Sequence, residues 1–323
     1  MMLAHAFAPG RANNLHAVRL GLAGAVIASH AWPLAHGAGT SEPLAALTSH
    51  SLGGWAVGLF FFLSGLLITG SAARSTATAF WTARARRILP GLAVALLVTL
   101  GLAALSGADL TPLLAVTYFV RGITLISLEH NLSNAFANAP MPGVVNGPLW
   151  SLFHEVAAYA LCWGAVKLGL MRSAWGMAVL MGAALLVWAL PGLPARAATF
   201  APLFVAFALG MLAHAARARL PLSPVVTLAL LVLAPLAWPF AIAGLGHVAL
   251  MLAFALPARP LSRDLSFGLY IYGWPVAQWL MHHSPGLGAP QLAVLSLLAT
   301  LPFAAISWML VEAPMLPRRM AKV

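Results

Sequence analysis

Apolar stretches long enough to cross a bilayer recur along this sequence, and polar residues collect in the short segments between them. Ten such stretches lie near residues 15–35, 53–72, 88–106, 146–168, 174–190, 199–215, 223–239, 242–256, 266–283 and 291–312. Most approach the roughly 20 helical residues that cover about 30 Å of hydrocarbon. Residues 107–145 interrupt the series. "TPLLAVTYFVRGITLISL" (111–128) is apolar but carries Arg121, and the Asn-, Pro- and Gly-rich "HNLSNAFANAPMPGVVNG" (130–147) reads as loop. Counting 111–128 as a span would place most later basic residues outside. It is therefore expected to be a re-entrant or interfacial segment within an outer loop of residues 107–145. The predicted fold is all-α: a polytopic integral membrane protein of about ten transmembrane helices, residues 1–323 forming a single membrane-embedded domain.

Composition sharpens this picture. The chain is 62% hydrophobic and 7% charged, with a mean hydropathy of +0.92. A soluble domain carries about 25% charged residues, so a water-facing surface is excluded. The net charge of +11 would point to nucleic acid in a soluble protein, but here it follows the loops. With the N-terminus inside, the inner segments collect Arg11, Arg74, Arg84, Arg86, Arg87, Lys167, Arg172, Arg217, Arg219, Arg259, Arg263, Arg318, Arg319 and Lys322. The outer segments hold Arg121 and Arg196. Lys and Arg bias loops toward the cytoplasm, so both termini are expected there, with no nucleic-acid partner. Arg11, Arg19 and the apolar run after them resemble a signal peptide. The run is long for one, and an uncleaved first helix is expected. Cys162 is alone, which leaves no intrachain disulfide and no cysteine metal cluster.

Ionisable groups within spans cost about 2.5–3.5 kcal/mol each on insertion scales, so each is a functional candidate. In "HAVRLGLAGAVIASHAW" (16–32), Arg19 and His30 stand eleven positions apart. Eleven steps of ~100° return to within about 20° of the same face, and the axial separation is about 16 Å. The competing reading has Arg19 snorkelling to headgroups and His30 satisfied in the core. In "FWTARARRILP" (80–90), Arg84 and Arg87 share a helix face beside the third span. Three arginines at one level suit a phosphorylated ligand, against the plainer role of inner-face anchors. A histidine about 16 Å deeper matches the reach of a pantetheine arm, which suggests coenzyme A with its thioester presented to His30.

"VNGPLWSLFHEVAAYA" (145–160) places Ser151 and Glu155 on one face, with Glu155 at a depth comparable to His30. Such a carboxylate could orient the imidazole, or could pair elsewhere for structural reasons. Ser64 and Gly65 in "FFFLSGLLITGS" (60–71) read as helix-packing residues, with Ser64 as nucleophile a minority alternative. Tyr270 and Tyr272 read as packing and interface aromatics. His282 and His283 are adjacent and point apart on a helix, so no metal site is expected.

Together these stretches resemble the acyltransferase-3 family of bacterial multi-pass membrane O-acyltransferases. The family's first span carries an arginine, ten residues and a histidine, matched by Arg19 and His30. Its second-span FF-x-L/I-SG-x-LI matches Phe61 to Ile68. Its loop motif R-x-x-R-I-x-P matches Arg84, Arg87, Ile88 and Pro90, and its W-S/T-L-x-x-E matches Trp150, Ser151, Leu152 and Glu155. Its late SY-x-x-Y-L/I and E-x-P match Ser266 to Ile271 and Glu312 to Pro314. One departure is Gly273, where many relatives have histidine. The version here resembles a branch often associated with polysaccharide gene clusters.

The resemblance implies acyl transfer, commonly acetyl from acetyl-CoA or another acyl-CoA, to a hydroxyl of a glycan or similar acceptor. The setting it implies is the bacterial cytoplasmic (inner) membrane. It also implies functional roles for Arg19, His30, Arg84 and Arg87. His30 and Glu155 are the expected catalytic pair, and Arg19, Arg84 and Arg87 the donor-binding set, without a metal. His30 would take the acceptor's proton, or would itself carry the acyl group. The alternative class is a transporter or exporter of a glycan or lipid-linked precursor, with Arg, His and Glu along its path. No pair of interrupted spans at matching positions in two halves supports that alternative. A catalytically silent assembly factor is a third reading.

Overall fold

The computed structural model describes residues 1–316 apart from Pro9 and residues 126–130. Glu129 and the C-terminal Arg318, Arg319 and Lys322 lie outside the described residues. Among these residues the chain is helical, without β-strands. The longer helices are α1 (Leu15–His36), α2 (Leu52–Arg74), α3 (Ala77–Leu105), α4 (Pro112–Thr124), α5 (Trp150–Lys167) and α6 (Ala174–Ala189). They continue with α7 (Ala195–Ala215), α8 (Pro224–Leu233), α9 (Trp238–Leu250), α10 (Ser266–His283) and α11 (Ala289–Ser307). One turn of π-helix extends α9 over Met251–Ala255, and another extends α11 over Trp308–Glu312.

A helix occupies each of the ten apolar stretches. Five are long and apolar enough to cross a membrane: Leu52–Arg74, Ala77–Leu105, Ala195–Ala215, Trp238–Ala255 and Ala289–Met315. α1, at 22 residues, has the length, but His16, Arg19, His30 and His36 dilute its apolarity. Leu105, Trp175, Val225 and Leu310 are each more than 70% exposed, a surface suited to lipid rather than water. The molecule is a membrane protein.

α3 starts at Ala77, well before the expected 88, because Thr76 caps it: its hydroxyl accepts from the Ala79 N–H at 3.3 Å. The arginine segment is thereby helical. α4 has 13 residues, about 20 Å, too short to cross hydrocarbon. Its N-cap Thr111 accepts from Leu114 N at 3.2 Å. Leu113, Val116 and Val120 form an exposed apolar stripe, while Tyr118 and Gly122 are buried.

The chain divides into two compact units. The first comprises residues 1–19, 57–80 and 154–261. Within it, α2 and α7 touch backbone to backbone. A Cβ on Gly65 would lie 2.0 Å from Phe207 O, and one on Gly210 would lie 1.9 Å from Phe62 O. Small residues at such a crossing let van der Waals packing replace the hydrophobic drive that lipid cannot supply. Gly210→Ala is expected to push the two helices apart at a cost of about 1–3 kcal/mol or more. A lowered thermal midpoint of the detergent-purified protein would register this, and an unchanged midpoint would contradict it.

The second unit comprises residues 20–56, 81–153 and 262–323. α10 and α11 form a hairpin in which Gly268 abuts Ala304: a Cβ there would lie 2.7 Å from Ala304 Cα. The loop preceding α5 is tied to α10 by side-chain donors. Gln278 Nε2 donates to Met141 O and Val144 O, each at 2.7 Å, and Trp274 Nε1 donates to Val144 O at 3.0 Å. Asn146 Nδ2 donates to Ile271 O at 3.0 Å, and Tyr270 OH to Pro148 O at 2.9 Å. An otherwise irregular segment thus gains fixed partners for its carbonyls, which low-polarity surroundings demand.

Candidate active site

Arg19 and His30 lie on one uninterrupted helix, α1, so the shared face read from their spacing holds. Its Pro33 lies past His30, which leaves the helical ladder between the two residues intact. Both side chains are half-buried. Arg19 falls in the first unit and His30 in the second.

The His30 ring meets the Trp274 indole edge to face, with centroids 5.0 Å apart and planes at 75°. Among the described residues its ring nitrogens make no hydrogen bond, so they remain available to a reacting group. The indole is itself held by Val144 O, and a Cβ on Gly147 would lie 3.3 Å from its six-membered ring. At Gly273 a Cβ would lie 2.7 Å from Ile27 Cγ1, one turn from His30 on α1. Ile27 therefore fills the space that a histidine side chain would need at position 273.

Sequence reading missed Trp274 as the neighbour of His30. The Gly-Trp-Pro at 273–275 was the available signal, but helix periodicity alone does not say which helices adjoin.

Glu155 belongs to the first unit. Its Oε1 accepts from Ser64 Oγ at 3.4 Å and from Tyr159 OH. Ser64 thus carries a polar role that the helix-packing reading did not give it. Ser151, on the same face as Glu155 one turn earlier, bonds instead to Tyr270 OH at 2.5 Å. Tyr270 also reaches Pro148 O, so it acts as a polar clasp rather than only a packing aromatic.

Arg87 is the most constrained of the sequence-predicted residues. Its Nη2 donates to Asp264 Oδ2 at 2.6 Å, and its Nη1 lies 3.9 Å from Glu312 Oε2. The guanidinium sits over the Phe267 and Trp308 rings, at 5.8 and 5.7 Å from their centroids. Both carboxylates are fixed from behind. Ser266 Oγ donates to Asp264 Oδ1 at 2.5 Å, and Ser307 Oγ to Glu312 Oε1 at 3.0 Å. Asp264 and Glu312 are 4% and 2% exposed, where an uncompensated charge is costly, and Arg87 supplies a cation to both. Spacing could show that Arg84 and Arg87 share a face. It could not show that two carboxylates far along the chain return to meet the second arginine. Arg84 lies half-buried on the same helix. Among the described residues, no three His, Cys, Asp or Glu side chains gather as a metal set.

A family model described as an acyltransferase domain matches residues 13–312, nearly the whole chain, including Arg19, His30, Arg84, Arg87 and Glu155. Nodulation protein 10 of Rhizobium leguminosarum bv. viciae is 28% identical over 364 residues, covering 97% of this chain and 96% of that protein. No solved structure matches. On the extent of the domain match, the chain belongs to the acyltransferase-3 family and is a membrane acyltransferase.

Proposed function

We propose that the protein moves an acyl group, acetyl by preference, from acyl-CoA to a hydroxyl of a cell-surface glycan or related acceptor. Its proposed setting is the bacterial inner membrane, with ten crossings and both termini cytoplasmic. α4 is the interfacial element of the outer loop, its Leu113, Val116 and Val120 stripe turned to lipid. The observation that carries the reading is the continuity of α1. One continuous helix bears an arginine and, about 16 Å further on, a histidine with unengaged ring nitrogens.

In this reading Arg19 and Arg84 grip the donor's phosphates. Arg87 contributes the same field while held by Asp264 and Glu312. A His30 ring nitrogen accepts the proton of the acceptor hydroxyl as its oxygen attacks the thioester carbonyl. The tetrahedral adduct then collapses, the C–S bond breaks, and the imidazolium returns its proton to the departing thiolate. Edge contact with Trp274 holds the ring's orientation throughout. Glu155 is assigned the role of stabilising the charged imidazole, with Ser64 and Tyr159 fixing the carboxylate.

The test is direct. Protein purified in detergent, given acetyl-CoA and a surface glycan fraction, should release free thiol in step with an added acetyl mass on the glycan. Movement of the acceptor across a vesicle membrane without thiol release would favour the exporter reading instead.

A further inference from the structure

The first unit holds a second polar site whose residues have no role in the acyl transfer described above. The ends of α2, α5 and α7 meet around a cavity of about 250 Å³, lined by Thr69, Lys167, Arg172, His214 and Arg217 among others. Arg74 borders it. A Cβ on Gly70 would lie 3.2 Å from Arg74 Nη1 and 2.7 Å from His214 Cε1. This unit contains a single acidic residue, Glu155. Among the described residues Lys167, Arg172 and Arg217 have no carboxylate partner.

The plain account is that these cations complement helix C-termini. It is partly right: Lys167 Nζ donates to Ser75 O at 3.1 Å, and Arg217 Nη1 to His214 O at 2.8 Å. The magnitudes leave a surplus. Three helix ends contribute about −1.5 charges in all, against four full positive charges. An ammonium has three donors and a guanidinium five, so most donors here stay unengaged. Arg172 is exposed and makes no side-chain hydrogen bond among the described residues. His214 is 9% exposed, and its buried Nδ1 lacks a partner.

We propose that this cavity binds a phosphate-bearing group. Its volume falls just below the ~300 Å³ lower bound of sites that enclose drug-sized ligands. It therefore suits a headgroup or a diphosphate rather than a whole molecule. Two sources offer that chemistry: the headgroup of an anionic phospholipid, and the nucleotide end of the acyl donor. Only the second rests on the acyl-CoA reading above.

The experiment uses the full chain purified in neutral detergent, with two probes. Native mass spectrometry counts retained phosphatidylglycerol against phosphatidylcholine. Calorimetric titration measures adenosine 3′,5′-bisphosphate against adenosine. The wild type should bind one probe above its uncharged or zwitterionic control. The combined Lys167→Gln, Arg172→Gln, Arg217→Gln variant should lose that binding about tenfold or more. Raised salt should weaken it in the wild type. Retained phosphatidylglycerol identifies a lipid site, and bound bisphosphate a donor site. Because Arg172 has no side-chain bond to lose, Arg172→Gln alone should keep the wild-type thermal midpoint and still weaken binding, with Arg172→Lys recovering part of it. Equal binding by wild type and the combined variant, or no preference for either anionic probe, would overturn the site.

Discussion

His30→Ala is expected to lower acyl transfer by about 10²–10⁴-fold, the usual contribution of a positioned general base. Donor affinity should stay near wild type, because the phosphate grip is assigned to Arg19 and Arg84. His30→Gln should be equally inactive, since an amide keeps the shape and cannot take the proton at neutral pH. Arg19→Ala should fail differently, with weakened donor binding and partial recovery at excess donor. The measurements are thiol release and coenzyme A binding on folded, detergent-purified variants. Substantial transfer by His30→Ala would return this residue to a core histidine packed on Trp274.

Arg87→Ala is expected to act on the fold. Removing the guanidinium leaves Asp264 and Glu312, 4% and 2% exposed, without the cation between them. Stranding one partner of a buried pair typically costs about 3–5 kcal/mol, more than an exposed donor-binding arginine would cost. The variant should show a lowered thermal midpoint and loss of monodispersity in detergent. Arg84→Ala should lose donor affinity. Combining Arg87→Leu with Asp264→Leu should recover part of the midpoint, because fewer carboxylates remain uncompensated. A wild-type midpoint for Arg87→Ala would contradict a structural role for this ion pair.

The separation of Arg84 from Arg87 illustrates what could be read from residue order. Their common face followed from three helical steps, and the helix that carries them is present. That Asp264 and Glu312 return to meet Arg87 is a matter of how α10 and α11 pack. Glu155 is a similar case. Its place on a helix was legible, but its partners Ser64 and Tyr159 came only with the packing of α5 against α2.

By itself the sequence determined that the chain is a helical membrane protein. It also determined where most of the long helices lie and which residues share the α1 face, because hydropathy and the 3.6-residue period act locally. It carried the ordered motifs that the domain match over residues 13–312 then established as a family. Tertiary structure alone decided that Gly65 and Gly210 are points of backbone contact and that Ile27 fills the space beside Gly273. The same holds for Trp274 bracing His30 and for Arg87 being enclosed by two carboxylates. The physical reason is common to all four. In lipid the hydrophobic effect fixes that a helix inserts but not which neighbour it chooses. That choice falls to close packing and to the pairing of the few buried polar groups, both of which depend on residues remote in the chain.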